Sequence, residues 1–169
     1  TDDHRFRVAL ASGHALVARR VVAATGLVDV LPEVEGLAER WGGDVIHCPF
    51  CHGYEVRDRR IVQIVTHPAG LHPSALFRQL TDHLTIVVHD GVQDDHEALD
   101  ALRAAGVTVL TGPVARIVDG DDGRLRAVEL TDGRLIEADA VAIGPRFAVR
   151  AEPFASLGLR PVEHPIGLG

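Results

Sequence analysis

Three short apolar runs separated by two helix-like segments constrain this fold more than any other feature of the sequence. Residues 61–65, 84–89 and 107–110 are largely apolar on both alternating faces, the pattern of strands buried from both sides. Between them, residues 73–82 and 95–105 carry apolar side chains at helical spacing. Pro73 suits a first helical turn, and Leu76, Phe77 and Leu80 share one face. Asp94 with Glu97 forms a candidate capping box, Leu99 and Leu102 supply a buried stripe, and Gly106 supplies the stop. Strand–helix–strand–helix–strand is the order of an α/β, doubly wound, Rossmann-like parallel sheet.

The flanks extend this core. Residues 114–118, 125–130 and 134–137 predict an antiparallel appendage turned at Asp122-Gly123 and Asp132-Gly133. Residues 139–143 then return as an apolar strand. Upstream, residues 5–11 and 15–24 predict a hairpin around Ser12-Gly13-His14, continuously apolar at residues 21–24. A loop follows, with a short helix over residues 37–41. The two ends echo each other: Val8, Leu10, Gly13, Ala18 and Val21 recur as Val128, Leu130, Gly133, Ala138 and Val141. Either any hairpin before a buried strand looks like this, or two related nucleotide-binding units are present.

The 169 residues are 46% hydrophobic and 24% charged, ordinary for a globular protein. A net charge of −7 argues against nucleic acid and anionic membranes as partners. No apolar run is long enough for a membrane span, which makes the cytoplasm the default location. Every basic residue is Arg, so Lys-dependent Schiff-base or phosphate chemistry is excluded within this chain. The absence of Met and the start at Thr1 suggest a piece of a longer protein.

His47-Cys48-Pro49-Phe50-Cys51-His52-Gly53 carries the chemistry. These two cysteines are too close to staple distant parts of a fold, which points to redox or metal chemistry. A helix starting near Pro49 would aim backbone N–H groups at a Cys48 thiolate and lower its pKa. His47 and His52 could accept and return the proton. Zinc held by His47, Cys48, Cys51 and His52 is the metal alternative, awkward for one tetrahedral ion because each His adjoins a Cys. Two inert buried thiols are the bland alternative. The acidic run at residues 119–123 reads as a turn rather than a calcium loop. His67, His72 and His83 read as capping or solvated positions, and Trp41 as packing.

The cysteine stretch, together with Ala24-Thr25-Gly26, Leu31-Pro32, Gly36, Trp41-Gly42, Tyr54-Glu55, Leu76-Phe77-Arg78-Gln79 and Gly144-Pro145-Arg146-Phe147, resembles the thioredoxin-reductase-like flavoproteins. These are FAD-dependent pyridine nucleotide-disulfide oxidoreductases. The chain is more similar still to their gliotoxin-type dithiol oxidase branch, which carries Cys-Pro-x-Cys-His-Gly. The resemblance implies an NAD(P)-type Rossmann-like domain (44–145) inserted into an incomplete FAD-type domain (1–43 and 146–169). It implies that Cys48 exchanges with a small-molecule or protein dithiol or disulfide. It implies that Cys51 lies next to the flavin, that His52 handles the proton, and that Thr25 and Gly26 lie near the flavin. FAD is the implied cofactor, and a homodimer is left open. The Gly-rich FAD turn belongs before Thr1 and the closing segment after Gly169, so weak FAD binding is expected of this chain alone.

Gly70 and Asp90 are the candidate dinucleotide contacts. The turn after residues 61–65 keeps only Gly70 of the expected glycines, and Pro68 and Pro73 lack N–H donors. Asp90 could accept from an NAD ribose but would repel the 2′-phosphate of NADPH. NAD(P)H use is therefore uncertain, and an oxygen-dependent dithiol oxidase is the alternative within the family. The alternatives of another class are a non-catalytic nucleotide-binding remnant and a small zinc-binding module.

Overall fold

The computed structural model describes residues 5–93 and 96–162. Its centre is a parallel sheet of β4 (Val45–Ile46), β5 (Ile61–Val65), β6 (Leu84–Val88), β7 (Thr108–Thr111) and β11 (Ala140–Ile143), in the order β4-β11-β5-β6-β7. Helices α2 (Ser74–Leu80) and α3 (Glu97–Ala104) make the crossovers β5-α2-β6 and β6-α3-β7. The α/β, Rossmann-like fold expected from the sequence is the fold observed.

Alternation along the strands decides what each face meets. Ile61, Val65, Ile86 and Val88 pack with Phe77, Leu99 and Leu102, which are buried on α2 and α3. Val62, Ile64 and Val87 face the other way, onto Val114, Ile117, Val128 and Leu130. Those last four belong to an antiparallel sheet of β8 (Val114–Asp119), β9 (Leu125–Leu130) and β10 (Leu135–Glu137), in the order β10-β9-β8. The parallel sheet therefore has helices on one face and a second sheet on the other; β5 and β11 are buried along their whole length, while the edge strand β7 is exposed at both ends.

Two clamps fix register away from the strand ends that form the site. Arg60 and Asp139, just before β5 and β11, pair through Nη2–Oδ1 at 2.5 Å, Nε–Oδ2 at 3.0 Å and the Arg60 N–H to Oδ2 at 3.0 Å. Arg40 donates to Asp44, to Asp119 and to the Gly123 carbonyl. The acidic run at 119–123 is thus a turn region whose Asp119 and Asp122 carboxylates pair with Arg40 and Arg124, as the turn reading required.

The echo extends to three dimensions. β1 (Phe6–Ala9) and β2 (Ala15–Ala18) pair with Val8 opposite Leu16, and β9 and β10 pair with Val128 opposite Ile136. Leu10 N–H to His14 O and Gly13 N–H to Leu10 O recur as Leu130 to Arg134 and Gly133 to Leu130. Gly13 and Gly133 hold φ of 85° and 87°, a conformation that needs glycine.

Several expectations are corrected. Residues 19–24 form no strand: the ladder stops at Ala18, and Val22 is 85% exposed. No strand among the described residues pairs with them, so their apolar character has nothing to bury against. The expected loop contains a strand, β3 (Leu27–Val30), antiparallel to β12 (Arg146–Val149). Its partner is far away in sequence, and no local pattern signals such a pairing. The helix at 37–41 is a 3-10 turn, Ala38–Arg40. Asp94 of the expected capping box lies outside the described residues; the observed cap of α3 is His96, whose Nδ1 accepts from Ala98 N–H.

Candidate active site

β4 delivers the chain to Cys48, which caps a single helical turn, α1 (Pro49–His52). Pro49 takes the first helical position, where a missing N–H costs nothing. The Cys48 carbonyl accepts from Cys51 and His52 N–H groups. Gly53 lets the turn close on α2: a Cβ there would collide with the Pro49 carbonyl and the Leu80 side chain.

The two thiols differ. Both are free; Cys48 is half-buried and Cys51 is exposed. Burial pushes the Cys48 thiol up, but hydrogen bonds from the Cys51 thiol and from the N–H groups of Cys51 and Phe50 outweigh it and hold its pKa below the ordinary thiol value. Cys51 is pushed up, first by its hydrogen bond to Cys48 and then by the charge on that sulfur. Cys48 is the more acidic thiol of the pair. His52 is exposed at the end of α1, with no side-chain hydrogen bond among the described residues. His47, Cys48, Cys51 and His52 do not converge as metal ligands; no such cluster of three or more exists among the described residues.

Cys48 also lines a cavity of about 280 Å³ that Cys51 does not reach. The cavity lies beyond the carboxyl ends of β4, β5 and β11, where ligands bind in open α/β sheets. Its wall includes Gly70, His67, His72, Arg146 and Phe147. The Phe147 ring tilts against His47, with centroids 5.8 Å apart. Sequence reasoning had no site role for Arg146, Phe147, His67 or His72. Placing β11 beside β4 brings residues 144–147 to the cysteines, and nothing local encodes that neighbour relation. His67 does cap as expected, its Nδ1 accepting from Ala69 N–H at 3.2 Å.

The other candidates are apart from the thiols. Thr25 Oγ1 donates to the Arg150 carbonyl at 2.6 Å, and the Gly26 carbonyl accepts from Arg150 N–H. These residues tie the chain entering β3 to the chain leaving β12. Asp90 lies past the end of β6, exposed, with Oδ1 accepting from Gly91 N–H at 2.7 Å.

The loop after β5 does not fit a dinucleotide pyrophosphate. It winds into a 3-10 turn, Pro68–Leu71, in which Ala69 N–H is spent on His67 Nδ1, Gly70 N–H on the His67 carbonyl and His72 N–H on the Ala69 carbonyl. Pro68 and Pro73 have no N–H, and Gln63 Nε2 pins the Gly70 carbonyl at 2.7 Å. For a flavin ring the fit is better. Cys51 is open to solvent next to Phe50 (83% exposed), an uncovered aromatic ring beside a thiol, while the Tyr54 ring is stacked under the Arg57 guanidinium.

Comparison with known proteins identifies the family and the fold. The family model for pyridine nucleotide-disulphide oxidoreductases matches residues 1–159. The chain is 28% identical over 95% of its length to thioredoxin reductase sirT of Leptosphaeria maculans, covering 53% of that protein. Its fold is similar to the crystal structure of HlmI, at TM-score 0.80 and 40% identity, covering 94% of this chain and 49% of that one. It is similar to an oxidoreductase from Agrobacterium tumefaciens at TM-score 0.81 and 32% identity, covering 96% and 53%. The chain spans about half the length of the relatives it matches. By sequence and by fold, the chain belongs to the pyridine nucleotide-disulphide oxidoreductase family.

Proposed function

We propose that this chain carries the thiol–disulfide centre of a flavin-dependent oxidoreductase resembling thioredoxin reductase. One observation carries the reading: the thiol with the lowered pKa, Cys48, faces a cavity, while its partner Cys51 faces away from it and outward. The Cys48 thiolate attacks a substrate disulfide, forms a mixed disulfide and expels one substrate thiolate. Cys51 gives up its proton, with His52 as acceptor, and attacks Cys48 sulfur. The second substrate thiolate leaves, and a Cys48–Cys51 disulfide remains. The reverse sequence oxidises a dithiol. FAD, when bound, supplies the two-electron source or sink that recycles the pair. A cycling pair of this kind suits the reducing cytoplasm.

The spent amides of Ala69, Gly70 and His72 favour the oxidase direction, in which a dithiol becomes a disulfide and oxygen becomes hydrogen peroxide. The test uses the flavin-loaded protein that contains this chain, with dithiothreitol as dithiol. Oxygen uptake should depend on Cys48, and Cys48→Ser should abolish it; unchanged turnover in that variant rejects the mechanism. Fluorescence titration should show no saturable NADPH binding, and saturation would remove the oxidase preference.

A further inference from the structure

We propose that the cavity beside Cys48 takes a small anionic disulfide or dithiol, an apolar body bearing a carboxylate or similar acid that Arg146 meets. This deepens the reading above and rests on Cys48 as the exchanging thiol. The protein is acidic overall, with 24 Asp and Glu against 17 Arg. Yet no Asp or Glu lines this cavity, whereas Arg146 and three imidazoles (His47, His67 and His72) do. Arg40, Arg60, Arg116 and Arg134 are each paired with a carboxylate. The Arg146 side chain has no such partner among the described residues, although it lies at the wall of the site. Ile64, Leu76 and Phe147 make the remaining surface apolar. A volume of about 280 Å³ suits a single-ring compound more than a folded protein loop. An acid held there would place its sulfur at Cys48 and its charge at the guanidinium, without competition from a protein carboxylate.

In the exchange, the Cys48 thiolate attacks one sulfur of the bound disulfide, that S–S bond breaks, and the acid-bearing thiolate departs. Attack by Cys51 then releases the other half, so the ligand gains the two electrons that the cysteine pair loses.

The test is the rate of exchange of the 169-residue chain with three disulfides: dianionic 5,5′-dithiobis(2-nitrobenzoate), neutral 4,4′-dithiodipyridine and dicationic cystamine. Each rate is taken relative to the same reagent with N-acetylcysteinamide, and the labelled cysteine is identified by mass spectrometry. The dianion should be favoured over the neutral reagent and the dication disfavoured. Arg146→Gln should lower the dianion-to-neutral ratio about fivefold, the order expected for one unit charge at contact distance in water. Arg146→Lys should keep the ratio, and so should Arg126→Gln, which removes the same charge on β9. A ratio unmoved by Arg146→Gln, or lowered equally by Arg126→Gln, overturns the inference and leaves the role of Cys48 standing. First labelling at Cys51 overturns both.

Discussion

At the scale of single residues, the asymmetry of Cys48 and Cys51 comes from position within one helical turn. Cys48 precedes the turn and receives its N–H groups; Cys51 lies within it and donates to Cys48. Iodoacetamide should therefore modify Cys48 first, with a rate that rises at lower pH than for Cys51. Cys51→Ser replaces the thiol donor, so the alkylation midpoint of Cys48 should move in that variant while the backbone contribution persists. Competitive labelling across pH checks both, and identical midpoints for the two thiols would refute the asymmetry. The pair itself was legible in the sequence, because four adjacent residues define it. Arg146 and Phe147 were visible only as part of a family pattern. Their place at the cavity depends on a parallel strand inserted between β4 and β5, a relation between distant segments.

At the scale of elements, α1 depends on close approach to α2. Gly53→Ala forces a Cβ into the Pro49 carbonyl and Leu80, so either the turn opens or α2 shifts. A loss of about 1–3 kcal/mol in denaturant unfolding is expected, the range for overpacking. Disulfide exchange should slow in the same variant, since Cys48 loses its N–H donors. The Arg60–Asp139 clamp sets a pH dependence. Hydrogen bonds from Arg60 hold the Asp139 carboxyl below the usual aspartate range, against an opposing push from burial. Its stabilisation is therefore complete above the unfolded aspartate pKa of about 4 and is lost as pH falls through the lower folded value. Asp139→Asn should flatten that acid limb in a series of thermal melts; an unchanged limb would show that the clamp is not coupled to folding. Parallel strands β5, β6, β7 and β11 and amphipathic α3 were readable because composition and period encode them, whereas the two-residue β4 is too short to show a pattern. β3 and β12 were not readable, because each is exposed and, among the described residues, pairs only with the other.

At the scale of the whole molecule, the parallel sheet is covered on both faces while the β1–β2 hairpin and the β3–β12 ribbon stand outside that core. Ile64→Ala, in the doubly covered sheet, should cost about 2–5 kcal/mol. Val22→Ser, at an exposed position, should stay within about 0.5 kcal/mol in the same chain. Equal costs would mean that the segment around Val22 is buried in solution. The chemistry rests on one cysteine of the pair meeting substrate and the other resolving it. Reaction with a disulfide reagent, read by intact mass and peptide mapping in Cys48→Ser and Cys51→Ser, tests this directly. Cys51→Ser should accumulate a stable mixed disulfide on Cys48, Cys48→Ser should stay largely unmodified over the same time, and the unaltered chain should end with a Cys48–Cys51 bond. A mixed disulfide that builds on Cys51 in Cys48→Ser, while Cys51→Ser stays unmodified, would contradict it.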